Sequence, residues 1–224
     1  MADKSAVLWH HFDDLSHQHE ANALGMWAFL ATEVLVFGAL FTGYAAYRFS
    51  YAEAFEEASS RLNVLIAAVN TVVLLTSSLT MALSVWAAQV GRRRMLVWCL
   101  LLTALLGTAF LVFKVVEYNE DYREQLVPGL AFDPGKWKDT NPAHVQLFLA
   151  FYYIMTGLHA VHLTVGIGIV LFLALMAWRG AYTPAYYAPV EMWGLYWHFV
   201  DIVWIFLLPL LYLIGRHELS DLHL

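Results

Sequence analysis

Five long apolar stretches leave this chain few ways to fold: roughly residues 23–47, 63–88, 95–116, 145–178 and 190–214. A bilayer's hydrocarbon core, ~30 Å thick, is crossed by about 20 consecutive apolar residues in a helix, and each stretch reaches that length. Composition agrees. Of the 224 residues, 61% are hydrophobic and only 13% are charged, where a soluble domain carries about 25% charge. The ten-residue alternation of a membrane barrel is absent. The pattern therefore specifies an all-α integral membrane protein, a bundle of five transmembrane helices filling residues 21–216. The fourth stretch exceeds what one crossing needs, which predicts tilt or projection beyond the hydrocarbon.

What lies outside these stretches is short and polar. Residues 1–20 form a polar, acidic tail that includes His10, His11, His17 and His19. The tail lacks the basic and apolar regions of a cleaved signal peptide, so the first span is expected to direct insertion. Residues 118–141 form an acidic loop punctuated by Pro128-Gly129, Asp133-Pro134-Gly135 and Asn141-Pro142, which are turn signals. The loop is expected to be a docking surface rather than a domain. Cys99 is the single cysteine, which excludes an internal disulfide. With a net charge of −6 and no basic tract, nothing points to nucleic acid.

Lys and Arg in short loops set orientation. Five crossings put Lys4, Arg92, Arg93, Arg94 and Arg179 on one side, and Arg48, Arg61, Arg123, Lys136, Lys138 and Arg216 on the other. The totals nearly balance, but Arg92-Arg93-Arg94 fills a very short loop, where the rule acts most strongly. The N-terminus is accordingly expected in the cytoplasm and the C-terminus outside.

Ionisable groups at membrane depth are costly and mark function by default. Glu33 stands in Ala-Thr-Glu-Val-Leu-Val-Phe on the first span, His159 and His162 on the fourth, and Glu191, His198 and Asp201 on the fifth; the second adds Asn70 with Thr76, Ser77, Ser78 and Thr80. His159 and His162 are i, i+3, as are His198 and Asp201, so each pair shares a helix face. His and carboxylate at one depth can hold a metal ion. They can equally satisfy one another as interhelical hydrogen bonds. Glu33 is open to a proton-relay, lipid-contact or structural role. A metal-dependent membrane enzyme built on the His and Asp pairs, and a proton-coupled transporter built on Glu33, are the alternatives these residues leave open.

Four motifs in order, spanning about residues 20 to 215, carry a family resemblance. They are Gly25-Met-Trp-Ala-Phe-Leu-Ala-Thr-Glu33, Asn70-Thr-Val-Val-Leu-Leu-Thr-Ser-Ser78, Phe151-Tyr-Tyr-Ile-Met-Thr-Gly157-Leu-His159-Ala-Val-His162, and Glu191 followed by Tyr196-Trp-His-Phe-Val-Asp201-Ile-Val-Trp204. In these the chain resembles subunit III of the haem-copper cytochrome c oxidases, in its shorter five-helix bacterial form. Many members have seven spans. Many also place a histidine before the glutamate of the last span, where this chain reads Tyr186-Tyr187-Ala188-Pro189.

The resemblance implies an accessory subunit without catalytic residues, redox cofactor or metal of its own, since haem and copper belong to subunits I and II. It implies packing against subunit I, bound phospholipid, support of proton uptake and sustained turnover, and contacts with further respiratory-chain subunits in a bacterial cytoplasmic membrane. Glu33 matches the family's membrane-buried, carbodiimide-reactive carboxyl. Asn70, His159, His162, Glu191, His198 and Asp201 match its intramembrane polar network. Arg179 remains as a basic candidate for a lipid head group.

Overall fold

The structure, a computed structural model, describes residues 15–137 and 140–214. Of the tail histidines named above, His10 and His11 lie outside the described residues, and His17 and His19 fall in the first turns of α1, where their side chains are not described. Six α-helices follow in order: α1 (Leu15–Ser50), α2 (Ala52–Ser60), α3 (Val64–Gln89), α4 (Arg93–Arg123), α5 (Pro142–Arg179) and α6 (Ala188–Tyr212). Five of them, all but α2, are long and apolar enough to span a membrane.

The helix ends follow local chemistry. The Asn63 side chain accepts from the Ile66 N–H to start α3, and Asn141 accepts from Ala143 to start α5 with Pro142 behind it, as N-caps do. The last turn of α5 closes on Gly180 at φ 84°, with Gly180 and Ala181 N–H donating to Ala177 and Met176. Only glycine adopts that left-handed geometry without steric cost. The Arg93 Nε also donates to the Ala177 carbonyl, at 3.0 Å, which places a cation at the negative end of α5.

Helices α3 to α6 form the packed bundle, and α1 lies against α5 and α6. Only 11% of the most apolar window of α1 is buried, against 50% for α6, so α6 is central and α1 peripheral. Two tryptophans fix α6 to α3: Trp197 Nε1 donates to Ser77 Oγ at 3.1 Å, and Trp204 Nε1 donates to Thr71 Oγ1 at 3.0 Å. Both rings are fully buried. Large aromatics fit between helices here because glycines on α4 and α5 make room. A Cβ at Gly107 would lie 2.8 Å from the Trp197 ring, and one at Gly166 3.3 Å from it.

The structure departs from the sequence expectations in several places: α1 begins at Leu15, inside the expected 1–20 tail, and α5 at Pro142 rather than near residue 145. Residues 52–60, expected as a connection, form α2, which buries Ala54, Phe55, Ala58 and Ser59 and exposes Glu53 and Glu56, while Glu57 is half-buried and accepts from the Thr140 hydroxyl. In addition, α4 does not stop near Val116 but runs through Arg123, so the non-helical connection begins at residue 124. Asp121, expected in the acidic loop, is buried on this helix, as are Glu117 and Lys114 before it. The remaining loop is folded, with a short antiparallel pair, β1 (Leu126–Val127) and β2 (Ala131–Phe132), and a 3₁₀ turn at Pro134–Lys136. Trp137 is buried, stacks on Phe132 and lies under the Arg61 guanidinium.

The last carbonyls of α6 have no partner within their own helix. The Tyr44 hydroxyl donates to Leu210 O, and the Ser59 hydroxyl to Leu211 O at 2.7 Å. One helix end thereby holds both α1 and α2.

Packing around Trp197 yields a paired prediction. Gly107→Ala drives a methyl into a rigid ring and should cost about 1–3 kcal/mol, the usual range for overpacking. Gly168→Ala, with nothing within 4 Å, should stay within about 0.5 kcal/mol of the parent. Unfolding midpoints in mixed detergent–denaturant micelles measure both.

Candidate functional site

On α1 the buried positions recur as a narrow stripe of Leu30, Phe37 and Tyr44, and Glu33, half-buried, lies on the same stripe at i+3 from Leu30. Its partner is 129 positions away. Glu33 Oε2 lies 2.8 Å from His162 Nε2 on α5, and both side chains are only about one-sixth exposed. The other ring nitrogen, Nδ1, lies 2.9 Å from Leu158 O. A carbonyl only accepts, so Nδ1 carries a hydrogen. The Nε2–Oε2 contact then holds one shared proton, as a carboxylic acid on imidazole or as an imidazolium–carboxylate pair. Either way the pair is electrically neutral, which removes most of the cost of placing a carboxyl at this depth. The Phe37 ring packs against the imidazole, and the Tyr196 hydroxyl donates to His162 O at 2.9 Å.

The remaining expected residues are not brought together. His159 is three residues from His162 but is rotated into the bundle, against the Phe110 and Trp204 rings. Neither of its ring nitrogens has a hydrogen-bond partner among the described residues. His198 Nδ1 instead pairs with Ser78 Oγ at 2.8 Å. Ser78 also faces Asp201, whose buried carboxyl oxygens make no hydrogen bond of normal geometry among the described residues. Asn70 donates to Phe110 O at 3.3 Å, while its own carbonyl oxygen is unpartnered among the described residues. Glu191 sits half-buried in the first turn of α6, and Arg179 is exposed in the last turn of α5. The polar network expected as one unit is thus several separate contacts. The four residues of the metal reading have different neighbours, and no group of three or more His, Cys, Asp or Glu side chains converges among the described residues.

The densest cluster is one that sequence reasoning missed. Lys114 Nζ donates to Glu117 Oε2 and to the Tyr212 hydroxyl, each at 2.9 Å, and lies 3.3 Å from the Tyr152 hydroxyl. Tyr212 donates to Glu117 Oε1 at 2.6 Å. The Tyr152 hydroxyl lies 3.0 Å from Glu117 and 3.3 Å from Asp121, so its single proton serves one at a time. Tyr153 also reaches Asp121. Four rings, Tyr118, Tyr152, Trp204 and Tyr212, surround the Lys114 ammonium at 5.1–5.6 Å, and such rings attract a desolvated cation. The signal was available: Lys114, Glu117 and Asp121 stand at i, i+3 and i+7, one face of a continuing helix.

These contacts define a polytopic helical membrane protein that spends its intramembrane charges on joining its own helices. Residues 143–216 match the family described as Cytochrome c oxidase subunit III. The chain is 31% identical over 211 residues to the cytochrome c oxidase subunit 3 of Thermostichus vulcanus, covering 91% of this chain and 92% of that one. It is 29% identical over 205 residues to the "Probable quinol oxidase subunit 3" of Staphylococcus haemolyticus, covering 91% and 94%, and 26% identical to its namesake in Staphylococcus aureus. The chain belongs to the cytochrome c oxidase subunit III family and is a subunit III of a haem-copper oxidase.

Breaking the Lys114 cluster on one side strands a buried charge. Lys114→Met should destabilise the chain by about 3–5 kcal/mol. Lys114→Met combined with Glu117→Gln should recover a good part of that loss, because the carboxylate left facing the thioether is then neutral while Asp121 keeps its tyrosine partners. Denaturation of the single and double variants in micelles checks the recovery.

Proposed function

We propose that this chain is the accessory, non-redox subunit of a proton-pumping cytochrome c oxidase in a bacterial cytoplasmic membrane. It packs on subunit I, with haem and copper held by subunits I and II. It binds phospholipid and supports proton uptake and sustained turnover, with its N-terminus on the cytoplasmic side. The observation that carries this reading is the position of the Glu33–His162 pair. It lies on the one inward stripe of a helix whose other faces expose Leu24, Trp27, Val34, Leu35 and Val36. A helix so thinly covered has room for an apolar neighbour, either subunit or lipid, next to a carboxyl that shares a proton.

In this reading Glu33 is the carboxyl with a proton- or lipid-related role. His162 orients it, and Tyr196 braces the α5 backbone behind His162. Asn70, His159, His198 and Asp201 keep α3, α5 and α6 together, with Glu191 at the head of α6. Arg179 is placed to meet a lipid head group. The relatives' names divide between quinol and cytochrome c as electron donor, and that choice is made in partner subunits rather than by residues of this chain.

The test is Glu33→Ala in the assembled oxidase. The haem optical spectrum should be unchanged, because no ligand to haem is removed. Retention of this subunit through detergent washing, or activity late in continuous turnover, should fall, and labelling of this chain by a hydrophobic carbodiimide should disappear. Loss of the haem signal would contradict an accessory role. Unchanged retention together with unchanged turnover lifetime would contradict a role for the pair.

A further inference from the structure

The Arg92-Arg93-Arg94 loop does more than orient the chain. On α4, Arg94, Val97, Trp98 and Leu101 stand at i, i+3, i+4 and i+7, which puts them in one row. On α5, Leu171, Ala174, Leu175 and Trp178 repeat the same spacing. The two rows wall a surface groove. Its arginine end is a depression of about 400 Å³ lined by Arg93, Arg94, Val97, Trp98, Leu101 and Trp178. It continues into a second, of about 330 Å³, with Val97, Leu101 and Trp178 common to both and Leu171, Ala174 and Leu175 added. Ala174, at 4% exposure, is the floor, while Trp98 and Trp178, 73% and 67% exposed, are the rims.

The groove is chemically graded. Its mouth is cationic and its length is almost wholly apolar. Arg93 is anchored through Nε to Ala177 O, which fixes its guanidinium over the end of α5. Arg94 makes no hydrogen bond or ion pair among the described residues, so its full donor fork is available. From Arg94 to Leu101 the helix rises about 10 Å, a depth that passes from the head-group layer into hydrocarbon. Tryptophan pairs are typical of that boundary.

We propose that this α4–α5 groove binds one anionic phospholipid, its phosphate on Arg94 and Arg93 and an acyl chain lying along Val97, Leu101, Leu171 and Leu175 between the two tryptophans. Charge complementarity selects an anionic head group over a zwitterionic one, and the apolar floor selects a lipid over a free phosphate. The site uses no residue of α1, so it stands or falls separately from the subunit contact proposed above.

The test uses the intact oxidase complex in nanodiscs containing trace phosphatidylglycerol or phosphatidylcholine, each with a photoreactive acyl chain. Labelled peptides are then mapped by mass spectrometry. Phosphatidylglycerol should label residues 97–101 and 171–178 in preference to phosphatidylcholine. Arg94→Gln should lower that labelling about fivefold, the effect of one basic residue near an anionic lipid. Leu101→Trp, which fills the groove and leaves the arginines in place, should abolish labelling by the phosphatidylglycerol probe. It also decides the matter if Arg94→Gln disturbs assembly. Equal labelling by the two lipids, labelling unchanged by either substitution, or crosslinks from this groove to a partner subunit in place of lipid would overturn the proposal.

Discussion

A side chain that leaves the helix backbone inside a bilayer has no water to turn to, and each unsatisfied polar group there costs several kcal/mol. The architecture of this subunit follows from how it meets that demand. Glu33 crosses to His162, Ser78 to His198, Thr80 to Thr103, and Lys114 to Glu117 and a ring of tyrosines. The first, second and last of these join helices that are distant in sequence. The contacts that neutralise charge are thus the same ones that set which helices are neighbours. Where the demand is not met among the described residues, at His159, the Asp201 carboxyl, Asn70 Oδ1 and Trp137 Nε1, the groups are buried, His159 against the Phe110 and Trp204 rings.

Helix α6 shows how apolar packing and polar satisfaction share one set of residues. Trp197 and Trp204 bury large flat surfaces against α4 and α5, and in the same rotamers their N–H groups reach Ser77 and Thr71 on α3. Gly107 and Gly166 are small because Trp197 is large. At the far end of α6, the carbonyls of its last turn receive Tyr44 and Ser59 and so tether the peripheral α1 and add a hold on α2, which also packs against α5. One central helix, aromatic along its length, thus organises the five around it.

Much of this was legible in the sequence, and the parts that were not share a physical cause. The five spans could be read because hydrocarbon thickness demands long apolar runs; the fourth begins three residues earlier than expected because Asn141-Pro142, which reads as a loop turn, is the N-cap and first residue of α5. The end of α4 was misread because charge was equated with solvent. Lys114, Glu117 and Asp121 are charged yet buried, since each finds a partner on the same helix or on α5 and α6. Helix α2 escaped notice because it is too short to span a membrane and rich in Glu and Ser, although its buried Ala54, Phe55, Ala58 and Ser59 recur at helical spacing. The equal spacing of His159–His162 and His198–Asp201 suggested joint sites, but residues three apart on a helix differ in direction by about 60°. That angle is enough to send His162 to α1 and His159 into the core. The pairing of Glu33 with His162 spans 129 positions and had no local signal.

The family assignment rests on similarity along nine-tenths of the chain; the role of the subunit rests on whether Glu33 and His162 act as one proton-sharing unit that holds α1 to α5. A double-mutant cycle with Glu33→Ala, His162→Ala and the combined variant, read as unfolding free energy in micelles, addresses this directly. Interhelical hydrogen bonds in membranes couple by about 0.6 kcal/mol on average and up to about 1.7, and a pair exchanging a proton belongs at the upper end of that range. A coupling of that size is the expected result. Strictly additive losses would show that the two side chains act independently and would contradict the account.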